Sequence, residues 1–261
     1  LLIDHLPRAA DGLHLVVASR MDPPWPLARW RGKGELTELR AADLRFSSQE
    51  ASQFLDQVFH LKLSPQEIAA LQKRIEGWAV GLQMAALSMQ GKWKTQGVSG
   101  VSSFIATLSG SNRFILDYLM DEVVSQQPEE VRNFLQSTSI LEQFTAPLCD
   151  ALLEHQDSQV ILDQVEQENL FLIPLDEERQ WYRYHHLFAD LLRKSLKQTQ
   201  PQLICELHQR ASDWYAENHY LAEGISHALD AGDILRVNRL VAGNALAMVE
   251  HIRLLDVLHY F

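Results

Sequence analysis

Arg20 follows the apolar run Leu13-His-Leu-Val-Val-Ala18. Such a run reads as a strand buried on both faces of a parallel sheet. Ligands of open α/β sheets bind at the carboxyl ends of the strands. A guanidinium placed there holds a terminal phosphate through charge-assisted, often bidentate contacts, or else it pairs with a surface carboxylate. His185 comes at the end of the aromatic and basic run Trp181-Tyr-Arg-Tyr184. Its imidazole can donate to a phosphate oxygen, or it can be a packed, hydrogen-bonded residue at the joint between two elements. His186 is its immediate neighbour, and adjacent strand residues point to opposite faces, so the pair is a poor metal chelate. Gly77 and Gly81 bracket Trp78 inside a helical pattern, where glycine gives a helix-helix corner its backbone freedom. No Ser/His/Asp or Cys/His constellation, close carboxylate pair or GxxxxGK[ST] phosphate loop accompanies these residues. The chain is therefore expected to lack a self-sufficient catalytic site.

The elements that must position them read as mainly α. Beyond the strand at 13–18, a short basic helix over Leu27–Arg31 should stop at Gly32 and Gly34, and Glu35-Leu-Thr-Glu-Leu39 should form a short strand. One or two strands cannot make a doubly wound sheet. With no methionine at Leu1, the chain is expected to be a fragment whose α/β domain begins upstream. Ser47-Ser-Gln-Glu50 and Ser64-Pro-Gln-Glu67 are capping boxes that open helices. Helix resumes after Gly77 with Leu82, Ala85, Ala86 and Met89, and the Gly/Ser-rich run 96–103 predicts a loop and a domain boundary.

Further on come three helical stretches: one from Pro128 with Val131, Phe134, Leu135 and Ile140, one around Leu148–Leu153, and Ser158–Leu170 with Val160, Ile161 and Val165 inward. A strand at 170–175, the turn Asp176-Glu-Glu-Arg179 and a strand at 181–184 precede a helix whose apolar positions are Leu187, Phe188, Leu191, Leu192 and Leu196. Three helices, a hairpin and a helix make a winged-helix plan. Helix pairs then follow, with Leu203, Leu207, Ala211, Trp214 and Tyr215 facing Ala222, Ile225, Ala228 and Leu229, and a second pair over 234–249 and 252–261. Pairs of this length suggest the start of a tetratricopeptide-like (TPR-like) array. The expected layout is 1–46, the remnant of an α/β domain; 47–103, a helical domain; 104–198, the winged helix; and 199–261, the start of a helical-repeat domain.

The 261 residues are 46% hydrophobic, ample for a core, and no apolar run is long enough to span a bilayer. Cys149 and Cys205 show no metal-type or redox spacing, which points to unpaired thiols in a reducing compartment, the cytoplasm. The net charge is −11. A winged helix reads DNA with its third helix, yet 158–170 offers Asp163, Glu166 and Glu168 with no Lys or Arg. Phosphates would repel that helix, so direct duplex binding is not expected.

Several strings in order resemble one family, the MalT-like (LuxR-type) transcriptional activators, a branch of the STAND signal-transduction ATPases. They are Leu15-Val-Val-Ala-Ser-Arg-Met-Asp-Pro-Pro24, residues 34–46, Glu76-Gly-Trp-Ala-Val-Gly-Leu-Gln-Met-Ala-Ala-Leu-Ser88, Arg113-Phe-Ile-Leu-Asp-Tyr-Leu119, Thr138-Ser-Ile-Leu141, Asn169-Leu-Phe-Leu-Ile-Pro-Leu175 and Trp181-Tyr-Arg-Tyr-His-His-Leu-Phe188. The resemblance implies that Arg20 senses the terminal phosphate of ATP and that His185 contacts the phosphates of bound ADP. It sets Gly77-Trp-Ala79 in the place of a GxP element near the adenine, with Ala79 where proline is often found. It further implies a switch in which a small-molecule or protein inducer at the repeats lets ATP replace ADP. Self-association would follow, and a C-terminal DNA-binding domain outside this chain would engage promoters. The competing expectation is a helical protein-interaction scaffold with no nucleotide role.

Overall fold

The computed structural model describes residues 15–19, 22–108 and 112–243. They are mainly α-helical, with a single two-stranded sheet among them. In chain order the helices are α1 (Leu27–Lys33), α2 (Ser48–Phe59), α3 (Pro65–Ile75), α4 (Ala79–Thr107), α5 (Arg113–Glu122), α6 (Glu129–Thr138), α7 (Ala146–Leu153) and α8 (Ser158–Gln167). Strands β1 (Leu172–Pro174) and β2 (Tyr182–Tyr184) follow, then α9 (His186–Thr199), α10 (Leu203–Glu217) and α11 (Leu221–Asp230). Residues 234–243 are helical as well. None of the described helices is long and apolar enough to cross a membrane.

The α2 and α3 N-termini form as their sequence requires. The Ser47 and Ser64 hydroxyls accept the backbone N–H of Glu50 and Glu67, and each Glu carboxylate accepts the serine N–H in return. Two donors that a helix start leaves bare are thereby satisfied at each end. The apolar stripes Ala51/Leu55 and Ile68/Leu71/Ile75 are buried, as helical spacing dictates.

Two expectations at the N-terminal end fail. Residues 15–19 form no strand, and Leu15, Val16 and Val17 are exposed. Residues 35–39 are not a strand either. A strand is stable only with a ladder partner, and the one sheet among the described residues pairs β1 with β2 alone. The 35–40 segment is instead tied by side chains: Arg31 forks onto Glu38 at 2.7 and 3.0 Å, and Arg40 bridges Glu38 and Asp22. Together the two guanidinium donors hold the Glu38 carboxyl down at about 2.

The loop expected at 96–103 is also absent, because α4 runs through it to Thr107. A glycine inside a helix costs about 1 kcal/mol. Against that cost, Val101, Phe104, Ile105 and Leu108 recur at helical spacing and are all buried. Burying side chains of this size contributes roughly 1.5–3 kcal/mol each, so the apolar face wins.

The described residues divide into two compact units, one of 1–126, 162–173 and 185–191, the other of 127–161, 174–184 and 192–261. In the second unit, Thr138 Oγ1 and the Tyr184 hydroxyl share a fully buried hydrogen bond of 2.7 Å. There too, Phe144 bridges Tyr182 in an antiparallel pair, and the Arg193 Nε donates to the Ser139 carbonyl at 2.6 Å. The expected winged-helix order holds, with two adjustments. Val160 is 66% exposed rather than inward, and the α8 core is Ile161, Leu162 and Val165. In α11 the buried face is Gly224, His227 and Ala228, while Ala222 and Leu229 point outward. The Ser212 hydroxyl donates to the Gly224 carbonyl at 2.7 Å, and the absence of a Cβ at Gly224 lets α10 and α11 approach closely enough for it.

Candidate functional site at the Gly77–Trp78 corner

The break between α3 and α4 is made by two successive left-handed residues, Glu76 (φ 52°) and Gly77 (φ 75°). Gln72, one turn earlier, clamps it from both sides. Its side-chain oxygen accepts the Gly77 N–H at 3.1 Å, and its amide donates to the Phe46 carbonyl at 2.9 Å. The Phe46 N–H in turn donates to the Gly77 carbonyl at 2.8 Å. A Cβ on Gly77 would stand 2.7 Å from that Phe46 oxygen, so the close backbone approach requires glycine. Gly81, one turn into α4, is the floor under the Trp78 ring, whose Cε3 would lie 2.3 Å from an added Cβ.

His185 meets this corner from 110 residues beyond Ile75 in the sequence. It is only 4% exposed, and its Nε2 lies 2.8 Å from the carbonyl oxygen of Ile75, the last residue of α3. The ring's Nδ1 accepts the Leu187 N–H at 3.3 Å. An Nδ1 that accepts must be unprotonated, so the proton sits on Nε2 and is donated to Ile75. Burial holds the His185 pKa below its ordinary value, against the pull of Glu76, and the ring stays neutral at pH 7. The same Ile75 oxygen accepts the Trp78 N–H at 3.0 Å.

An aromatic shell surrounds the imidazole. Trp78 packs edge-on against Phe171 (centroids 5.1 Å apart) and against His185 (6.1 Å), and Tyr118 lies 5.8 Å from the indole. Phe171 also packs on Phe188 at 5.3 Å. Its φ of 58° is rare for a bulky side chain and costs on the order of 1–3 kcal/mol. The bond from the His185 N–H to the Phe171 carbonyl, 2.9 Å, and the ring contacts hold it there. His186 points outward, its Nε2 3.6 Å from Glu76, and its backbone N–H donates to the same carboxylate at 3.2 Å.

The structure thus brings His185 and Gly77 to one corner, as the packed reading of each residue requires. The expectation for Arg20 falls outside the described residues. Sequence reasoning missed Phe171, Gln72 and the Ile75 carbonyl. A backbone oxygen has no sequence signal, and Phe171 looks like one more apolar residue of the strand before the turn. Chemically, the corner holds a neutral imidazole donor with a fixed tautomer at the C-terminal end of a helix, roofed by aromatic rings. It contains no nucleophile-base pair.

A family model, the MalT winged helix domain, matches residues 120–204. The chain is 33% identical over 246 residues to the serine/threonine-protein kinase PknK of Mycobacterium tuberculosis, covering 94% of this chain and 22% of that protein. It is 33% identical over 242 residues to the HTH-type transcriptional regulator MalT of Yersinia enterocolitica, and 31% identical to that of Klebsiella pneumoniae, in each case covering 92% of this chain and 26% of the regulator. It therefore spans about a quarter of the length of these curated relatives. Likeness on this scale, running well past both ends of a MalT winged helix, makes the chain MalT-like.

Proposed function

We propose that this chain is the regulatory clasp of a nucleotide-gated, MalT-like transcription regulator, with 1–46, 47–103, 104–198 and 199–261 as nucleotide-domain remnant, arm, winged helix and start of a TPR-like sensor. The observation that carries the reading is the His185 imidazole, neutral, fixed as an Nε2 donor and aimed at the Glu76-Gly77-Trp78 corner. In the resting protein that donor turns from the Ile75 carbonyl to a phosphate oxygen of ADP, and Arg20 reads the terminal phosphate of ATP. Inducer binding at the repeats releases the clasp, ATP replaces ADP, and the protein self-associates on DNA through a domain outside this chain. To move such an equilibrium from 1:99 to 99:1, the activating ligands must prefer the open state by about 5.5 kcal/mol. The reading places the protein in the cytoplasm and makes any ATP hydrolysis a timing device of the whole protein.

The similarity to PknK, equal in identity to that with the Yersinia regulator, favours a second form of the same reading. The clasp would then be a module that gates whichever output domain is joined to it, a kinase or a DNA-binding domain.

The test is ADP retention by the longer protein that includes the nucleotide-binding region. ADP should co-purify with it, and His185→Ala and the shape-conserving His185→Gln should both speed its loss. Retention as tight as wild type in a folded His185→Gln protein removes His185 from the switch. Absence of bound ADP or ATP under all conditions leaves the helical protein-interaction scaffold.

A further inference from the structure

A second group of titratable side chains converges far from this corner in sequence, inside the α10–α11 helix pair. His208 on α10 and His227 on α11 set their Nδ1 atoms 2.9 Å apart. An oxygen of Asp230, the last residue of α11, lies 3.8 Å from the His208 Nδ1. The three candidate ligand atoms all lie within 4.8 Å of one another.

Helix geometry accounts for the arrangement. His227 and Asp230 are three apart and share a face of α11. The contact of Gly224 with Ser212 and Ala216 brings that face close to α10, opposite His208. Tyr215 stacks on His227 at 5.3 Å and 14°, which fixes that ring in its plane. Both imidazoles are largely buried, whereas the Asp230 side chain is 59% exposed and free to turn at the helix end. Cys205 lies one turn before His208, but its Sγ donates to the Ala231 carbonyl at 3.3 Å, and it is not counted among the donors.

Two imidazoles this close coexist either as a neutral hydrogen-bonded pair or as two ligands of one cation. Burial favours the neutral rings in both cases. It brings His227 down to about 4, with nearby His208 lowering it further and Asp230 opposing, and it lowers His208 as well. The bare pair uses one ring's N–H and the other's lone pair and leaves the Asp230 carboxylate beyond hydrogen-bond reach at 3.8 Å. The cation uses all three groups. Zinc takes neutral imidazole nitrogen at about 2.0–2.1 Å and carboxylate oxygen at about 2.0–2.2 Å, in a tetrahedron whose corners are then roughly 3.3 Å apart. The two rings need to part by a few tenths of an ångström, and the carboxylate to close by about half an ångström on His208 and by up to about 1.5 Å on His227, a movement that rotation of the exposed Asp230 side chain supplies.

We propose that His208, His227 and Asp230 form a binding site for a zinc-class divalent cation, with the fourth position open to water on the exposed Asp230 side. The bound ion ties α10 to α11, the helix pair that directly follows the winged helix. None of this depends on the nucleotide reading above.

The experiment uses the whole chain, stripped with a chelator and titrated with Zn²⁺ by calorimetry and with Co²⁺ by absorption. One equivalent should bind saturably, with the intense visible bands of four-coordinate Co²⁺. Loss of an outer-shell partner alone weakens metal affinity about 10–100-fold. Loss of a ligand in Asp230→Asn or His208→Gln should therefore weaken it by at least about tenfold, while His186→Gln should leave it unchanged. Asp230 is exposed, so that variant keeps the test valid if the buried-histidine variant fails to fold. No saturable binding, or equal affinity in Asp230→Asn and wild type, overturns the proposal in favour of a bare histidine pair.

Discussion

Gly77 and Gly232 share nearly the same left-handed backbone, φ 75° and 73°, in very different surroundings. A Cβ on Gly232 would meet nothing within 4 Å. One on Gly77 would stand 2.7 Å from the Phe46 oxygen, 2.9 Å from the Arg45 Cβ and 3.0 Å from the Phe46 nitrogen. Alanine pays about 1–2 kcal/mol for that φ, and Gly232→Ala should lose no more than this. Gly77→Ala carries the same cost and must also push back the backbone at 45–46. That movement stretches the Phe46–Gly77 and Gln72–Phe46 hydrogen bonds, each contributing about 1 kcal/mol net. The expected total is about 3–4 kcal/mol, roughly 2 kcal/mol beyond the control. Urea unfolding followed by circular dichroism measures both losses. Native-state hydrogen exchange gives the local readout, because about 2 kcal/mol corresponds to roughly 30-fold faster exchange of the Phe46 amide. Equal losses in the two variants, with Phe46 still protected, would refute the claim that the corner is a rigid clamp closed around Gly77.

Three further outcomes follow from the same geometry. Gly81→Ala should evict the Trp78 ring from its seat, costing about 1–3 kcal/mol and weakening the near-ultraviolet signal of the indole; an unchanged spectrum contradicts that packing. Because burial, His186 and Arg45 keep the folded His185 pKa below the unfolded value of about 6.5, against Glu76 and the Ile75 carbonyl, the unfolded chain binds the extra proton first. Stability should therefore fall as pH drops below about 6.5, by up to about 1.4 kcal/mol per unit from this group, and His185→Gln should flatten the slope; identical slopes in variant and wild type count against a buried neutral ring. Cys149 is buried and its thiol pushed well up, whereas Cys205 is exposed. A thiol reagent should thus modify one cysteine quickly in the metal-free chain and the other only on unfolding, and two fast thiols would show that the α7 core is open.

What the sequence determined by itself is the set of local, self-contained features. Capping boxes at Ser47 and Ser64, apolar stripes at helical spacing and the hairpin before His185 each depend on residues a few positions apart. They therefore form wherever the chain goes. Residues 15–18 and 35–39 stay out of any strand because a strand needs a ladder partner, and no described strand supplies one. The run at 96–103 carries loop-forming glycine and serine, but the burial of Val101, Phe104, Ile105 and Leu108 outweighed their local preference. Tertiary structure alone decided the chemistry of the histidines. The partner of the His185 Nε2 is a carbonyl 110 residues away. His208 and His227 face each other because Gly224 lets two helices approach. The state of an imidazole depends on the donors, acceptors and solvent it meets, and those are set by packing rather than by neighbours in the chain.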